Sequence, residues 1–142
     1  MQTLTIMPDA GGAYVWCHDD DPSIHSGVGG LSGLPMIRKG MRMHPHPMTK
    51  EFEDWQTYWE RNWSGSMTAF DWRTFHAEGI ALSRRLKKSL GEKYRIVYEK
   101  PCEDPGFEDQ ERREVMMDGD LIDLPSQRAI YLAKVNQDES HL

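Results

Sequence analysis

The sequence predicts an α+β domain, a mostly antiparallel sheet with two amphipathic helices, about 49–63 and 72–90, packed on one of its faces. Three observations predict it. Apolar residues recur at helical spacing through two stretches in the middle of the chain. Toward both ends they alternate with period two between Gly, Pro and Asp turn signals. At 142 residues, with five Trp and five Tyr, the chain can fill one core without disulfide or metal staples. The whole chain, 1–142, is read as a single globular domain with no linker and no internal repeat.

At the start, Leu4 and Ile6 alternate with Thr3 and Thr5, and Ala13-Tyr14-Val15-Trp16-Cys17 follows a Gly11-Gly12 break. Together they predict a hairpin. From 18 to 48 no period persists among many Gly and Pro, so this is read as a long irregular segment, with a strand near Leu34–Ile37 as the alternative. Thr49 is placed as the cap of a helix whose Phe52, Trp55, Trp59 and Trp63 share one face. Asp71 caps the next helix, which carries the stripe Trp72, Phe75, Gly79, Leu82, Leu86 and Leu90 and ends at Gly91, with Arg84, Arg85, Lys87 and Lys88 opposite the stripe. Gly79 costs about 1 kcal/mol against Ala in such a position, which predicts close approach by a neighbour.

After Gly91, Tyr94, Ile96 and Tyr98 fall on one face of a strand and Arg95, Val97 and Glu99 on the other. Residues 101–111 read as an acidic loop. Glu114–Met117 and Asp120–Leu124 flank Asp118-Gly119, a hairpin with a type I′ turn. Arg128 to Val135 fits a strand or a short helix and is read as a strand, and 136–142 as a frayed tail.

No catalytic constellation is legible. Gly27-Val28-Gly29-Gly30-Leu31-Ser32-Gly33 is followed by Leu34-Pro35 rather than a helix start, so it lacks the context of a phosphate loop. Ser32 lies in no nucleophile elbow. Cys17 and His18 point to opposite sides of their strand and cannot act as nucleophile and base. His76, at the edge of the second helix's stripe, reads as a partly buried, hydrogen-bonded histidine. Cys17 and Cys102 belong to no Cys-x-x-Cys pair and read as free thiols. Met41, Met43, His44, His46 and Met48 form one soft-ligand cluster, and Cys17, His18, Asp19, Asp20, Asp21 and His25 another, neither with a standard ligand spacing. A metal-binding or metal-dependent role for this Gly/His/Met loop is the alternative function, and it needs His18 or His25 to approach His44 and His46. No metal ligand or cofactor is assigned.

Charge is the least ordinary feature. The net charge is −6, which disfavours a nucleic-acid binder. No apolar run is long enough for a membrane span or a secretory signal, and the cytoplasm is the expected location. Seven cations cluster between Arg84 and Lys100. Carboxylates then dominate, and Glu103, Asp104, Glu108, Asp109, Glu111, Asp118, Asp120 and Asp123 are the candidate partner-binding residues. A small acidic domain without a legible active site has the profile, in size and charge alone, of bacterial immunity proteins. The expectation is therefore a non-enzymatic protein-binding protein, an immunity- or antitoxin-type inhibitor that covers the basic cleft of a nuclease-like toxin. Its partner would be a cognate protein with a basic surface, not a nucleic acid or a membrane.

Overall fold

The computed structural model describes residues 1–21, 27–31, 46–63 and 70–140. Its strands are β1 (Gln2–Ile6), β2 (Val15–Asp19), β3 (Gly27–Gly29), β4 (Tyr94–Glu99), β5 (Arg112–Val115) and β6 (Leu121–Asp123). Helices α1 (Thr49–Asn62) and α2 (Trp72–Leu90) precede β4, and α3 (Gln127–Ser140) follows β6. The strands form one sheet in the order β3-β2-β1-β4-β5-β6, antiparallel throughout except for the central β1–β4 pair. This is the α+β architecture predicted, with both predicted hairpins present.

The register sorts the side chains. Leu4 pairs with Ile96, Ile6 with Tyr98 and Val15, and Ile96 with Val115, which places these buried residues on one face. Phe52, Trp55 and Trp59 of α1 and Phe75, Ile80 and Leu86 of α2 complete the core there. The Tyr14 ring stacks on Phe52 at 5.6 Å, and Trp55 stacks on Phe75 at 4.4 Å. Gly79 is where the layers touch. A Cβ on it would lie 2.6 Å from both Trp55 Cζ2 and Tyr98 Cε2, the close approach that its cost in a helix called for.

Capping sets the ends of α2. The Asp71 carboxylate accepts from the Thr74 amide at 3.1 Å, and Gly91, at φ +73°, closes the helix through its amide to the Lys87 carbonyl. At α1 the residue before the helix is Met48, and the Thr49 hydroxyl donates to the His46 carbonyl instead of capping.

Four further local expectations are corrected. Gly27–Gly29, inside the segment read as irregular, pairs antiparallel with Val15–Cys17 of the preceding strand as β3, although its glycines carry no strand pattern of their own. The hairpin at Asp118-Gly119 has positive φ only at Gly119, with the Gly119 amide bonded to the Met116 carbonyl. That is a three-residue turn with glycine in the left-handed position, not type I′. Lys87 is 4% exposed rather than on a solvated face, because it folds toward the start of β4, where its ammonium donates to the Tyr94 carbonyl at 2.7 Å. Residues 127–140 are helix, not strand and frayed tail. Ser126 accepts from the Ala129 amide at 3.0 Å, and a run of good helix formers follows. The alternative strand near Leu34–Ile37 lies outside the described residues. No helix is long and apolar enough to cross a membrane among the described residues.

Candidate functional site

His76 projects from α2 toward the end of β4 and the loop 101–110. Its Nδ1 lies 2.6 Å from the Tyr98 hydroxyl and its Nε2 2.7 Å from Asp104 Oδ2. Asp104 Oδ1 accepts from the Gly106 amide at 2.8 Å. Burial lowers the His76 pKa, opposed in part by Asp104, so the imidazole is neutral near pH 7. Only one proton arrangement then satisfies every group. Nε2–H donates to the carboxylate and Nδ1 accepts from the Tyr98 O–H. Burial also raises the Tyr98 pKa, and the ring is 1% exposed, so this hydroxyl is neither ionised nor reachable by a substrate. The chain of three is a tether between α2, β4 and the loop. The histidine is buried and hydrogen-bonded, as read from its place at the edge of the stripe.

Beside the tether lies a cleft of about 450 Å³, bounded by Trp72, Arg73, Ala77 and Ile80 of α2, by Lys100, Asp104, Gly106 and Asp109, and by Arg113 of β5. On the opposite face of the sheet, Glu99 and Arg112 pair at 2.9 Å, with Gln127 donating to Glu99 at 3.4 Å. Burial raises the Glu99 pKa, with Gln127 and Arg112 pulling it back down. Arg112 also donates to the Pro125 carbonyl, so this pair fixes the approach to α3.

The eight predicted partner-binding carboxylates do not form one face. Asp104 is consumed by His76 and is 5% exposed. Glu111 is buried and accepts from the Gln127 amide. Glu108 pairs with Arg128 at 3.6 Å, and Glu103 is half-buried next to Cys102. Asp109 is exposed at the rim of the cleft. Asp118 and Asp120 sit in the β5–β6 turn, where Asp118 accepts from the Asp120 amide, and Asp123 is exposed on β6. These three form no ion pair among the described residues, in contrast to Glu114, which meets Arg95 at 3.5 Å.

α3 occupies the stretch that fits strand or helix and reads as strand in the sequence, and it is the least covered of the three helices. None of the residues from Gln127 to Asp138 is buried, while Tyr131 is 65% and Leu132 48% exposed. It is held at its first turn, by Gln127 to Glu99 and Glu111 and by Arg128 to Glu108.

Of the candidate metal ligands, His18 is exposed on β2, and His46 uses both ring nitrogens, one near the Ser89 hydroxyl at 3.1 Å and one accepting from the Met48 amide. His25, Met41, Met43 and His44 lie outside the described residues. Among the described residues no group of three or more His, Cys, Asp or Glu side chains is arranged to hold a metal. Cys17 and Cys102 are unpaired. Comparison with family models, curated proteins and solved structures returns no match.

Proposed function

We propose that the chain is a non-enzymatic protein-binding protein whose partner docks on α3 and the β5–β6 hairpin. The observation that carries this reading is the exposure of Tyr131 and Leu132 on a helix that buries none of its described side chains. A 14-residue helix with so little tertiary support is marginal in water, since packing supplies most helical stability. Tyrosine on a helix is also a frequent anchor at interfaces. Asp118, Asp120 and Asp123, free of ion pairs among the described residues, favour a partner with a basic surface. An inhibitor of the immunity or antitoxin type, covering the basic cleft of a nuclease-like toxin, is the form of this reading that matches charge and size.

The test is affinity capture from the native cell at low salt, with three forms of the protein in parallel. The wild type is expected to retain a stoichiometric partner. Tyr131→Ala with Leu132→Ala is expected to lose it, and lysines at 118, 120 and 123 are expected to slow association and flatten its salt dependence. A partner retained equally by all three forms removes the reading.

A further inference from the structure

The cleft beside His76 has an unusual charge balance. Arg73, Lys100 and Arg113 all line it. None of the three forms an ion pair among the described residues. Lys100 spends one N–H on the Asp109 backbone carbonyl. Arg113 is the sharpest case. Its Nε is shut off from solvent and has no hydrogen-bond partner among the described residues. An N–H so placed has lost water without gaining an acceptor, which proteins ordinarily avoid. The carboxylates at hand do not answer it. Asp104 is taken up by His76 and Gly106, and Asp109 stands at the exposed rim. Neutral His76 adds no charge of its own.

The remaining wall is apolar. Trp72, half-buried, stacks against the His76 ring at 5.6 Å, and Ala77 and Ile80 continue the surface along α2. The cleft, at about 450 Å³, falls within the size range of small-molecule sites. Three cations against Asp104 and Asp109 leave the wall one positive charge in excess, and the two arginine forks match the oxygens of a phosphoryl group.

We propose that this cleft binds a small phosphate monoester, its phosphoryl group held by Arg73, Lys100 and Arg113 and its organic part lying on Trp72. The site is separate from the α3 surface, so the two readings stand or fall independently.

The experiment is calorimetric titration of the full chain with phenyl phosphate, inorganic phosphate and benzoate. Phenyl phosphate is expected to bind saturably at one site, roughly tenfold tighter than inorganic phosphate, and benzoate weakest. Arg113→Gln is expected to lower phenyl phosphate affinity at least about tenfold. Because Arg113 forms no ion pair among the described residues, this variant is expected to fold with an unliganded Tm close to that of the wild type. Phenyl phosphate then raises the Tm of the wild type and not of the variant. Arg73→Gln, at an exposed position of α2, serves as the second variant and is expected to weaken binding in the same sense. Absence of saturable binding, binding unchanged in both variants, or preference for benzoate would each overturn the proposal.

Discussion

His76 and Asp104 are joined by a 2.7 Å hydrogen bond between Nε2 and Oδ2, both side chains being buried. This bond fastens the loop 101–110 to the second helix, and Tyr98 on the other ring nitrogen fastens the same histidine to the sheet. Replacing His76 by Phe leaves the buried Tyr98 hydroxyl without its partner and Asp104 with the Gly106 amide on Oδ1 but nothing on Oδ2. The expected loss is about 3 kcal/mol in urea unfolding, while Asp104→Asn, which keeps an acceptor, is expected to cost about half as much. Equal and negligible losses would show that the tether is not under tension from burial.

Stability is expected to decline as pH falls below neutrality. The folded pKa of His76 lies below its ordinary 6.5, chiefly through burial. The unfolded chain therefore takes a proton that the native one refuses. This contribution is complete above 6.5 and disappears as pH drops through the folded value. His46, also lowered by burial, acts in the same direction. Glu99 has the opposite sign, because its pKa is raised above 4.5, and its burden is relieved as pH falls through the folded value. Urea midpoints at successive pH values in wild type and His76→Gln check this, the variant giving the shallower slope.

Gly79→Ala sets helix propensity against space. Alanine should gain about 1 kcal/mol in a helix. Its Cβ, however, would press on the rings of Trp55 and Tyr98 at 2.6 Å. Aromatic rings at a packed interface cannot retreat as a flexible chain end does, so the net expectation is a loss of about 2 kcal/mol. Thermal unfolding reads the sign directly.

The Glu99–Arg112 pair predicts an asymmetry. Arg112→Met strands a carboxylate whose pKa is already raised, with an expected cost of about 3 kcal/mol, whereas the double replacement Glu99→Leu, Arg112→Met is expected to recover most of it. A double-mutant cycle measures the difference.

Much of this fold was legible. The stripes of α1 and α2, the Asp71 and Gly91 caps and the two hairpins follow from local periodicity and turn chemistry. What was not legible depends on distant partners. Gly27–Gly29 becomes a strand only because β2 lies beside it. Arg128–Val135, with its Ile, Tyr and Val, fits either strand or helix, and the Pro125-Ser126 start signal was the available clue. At the candidate site, the acidic run hid its own division of labour. Nothing in the order of residues separates Asp104, which turns inward to His76, from Asp109, which stays out. Arg113 was likewise not legible as a site residue, because its place in the cleft arises from the sheet register.

The parallel pairing of Gln2–Ile6 with Tyr94–Tyr98 has a kinetic implication. β1 and β2 can meet within the first twenty residues of this chain, but their sheet stays open on its inner edge until both long helices and β4 have been synthesised. For that interval one edge of β1 waits unpaired, and closing so wide a loop is slow. A nascent chain arrested before Tyr94 is thus the form most exposed to wrong strand addition, and the one on which a chaperone would have the most to grip.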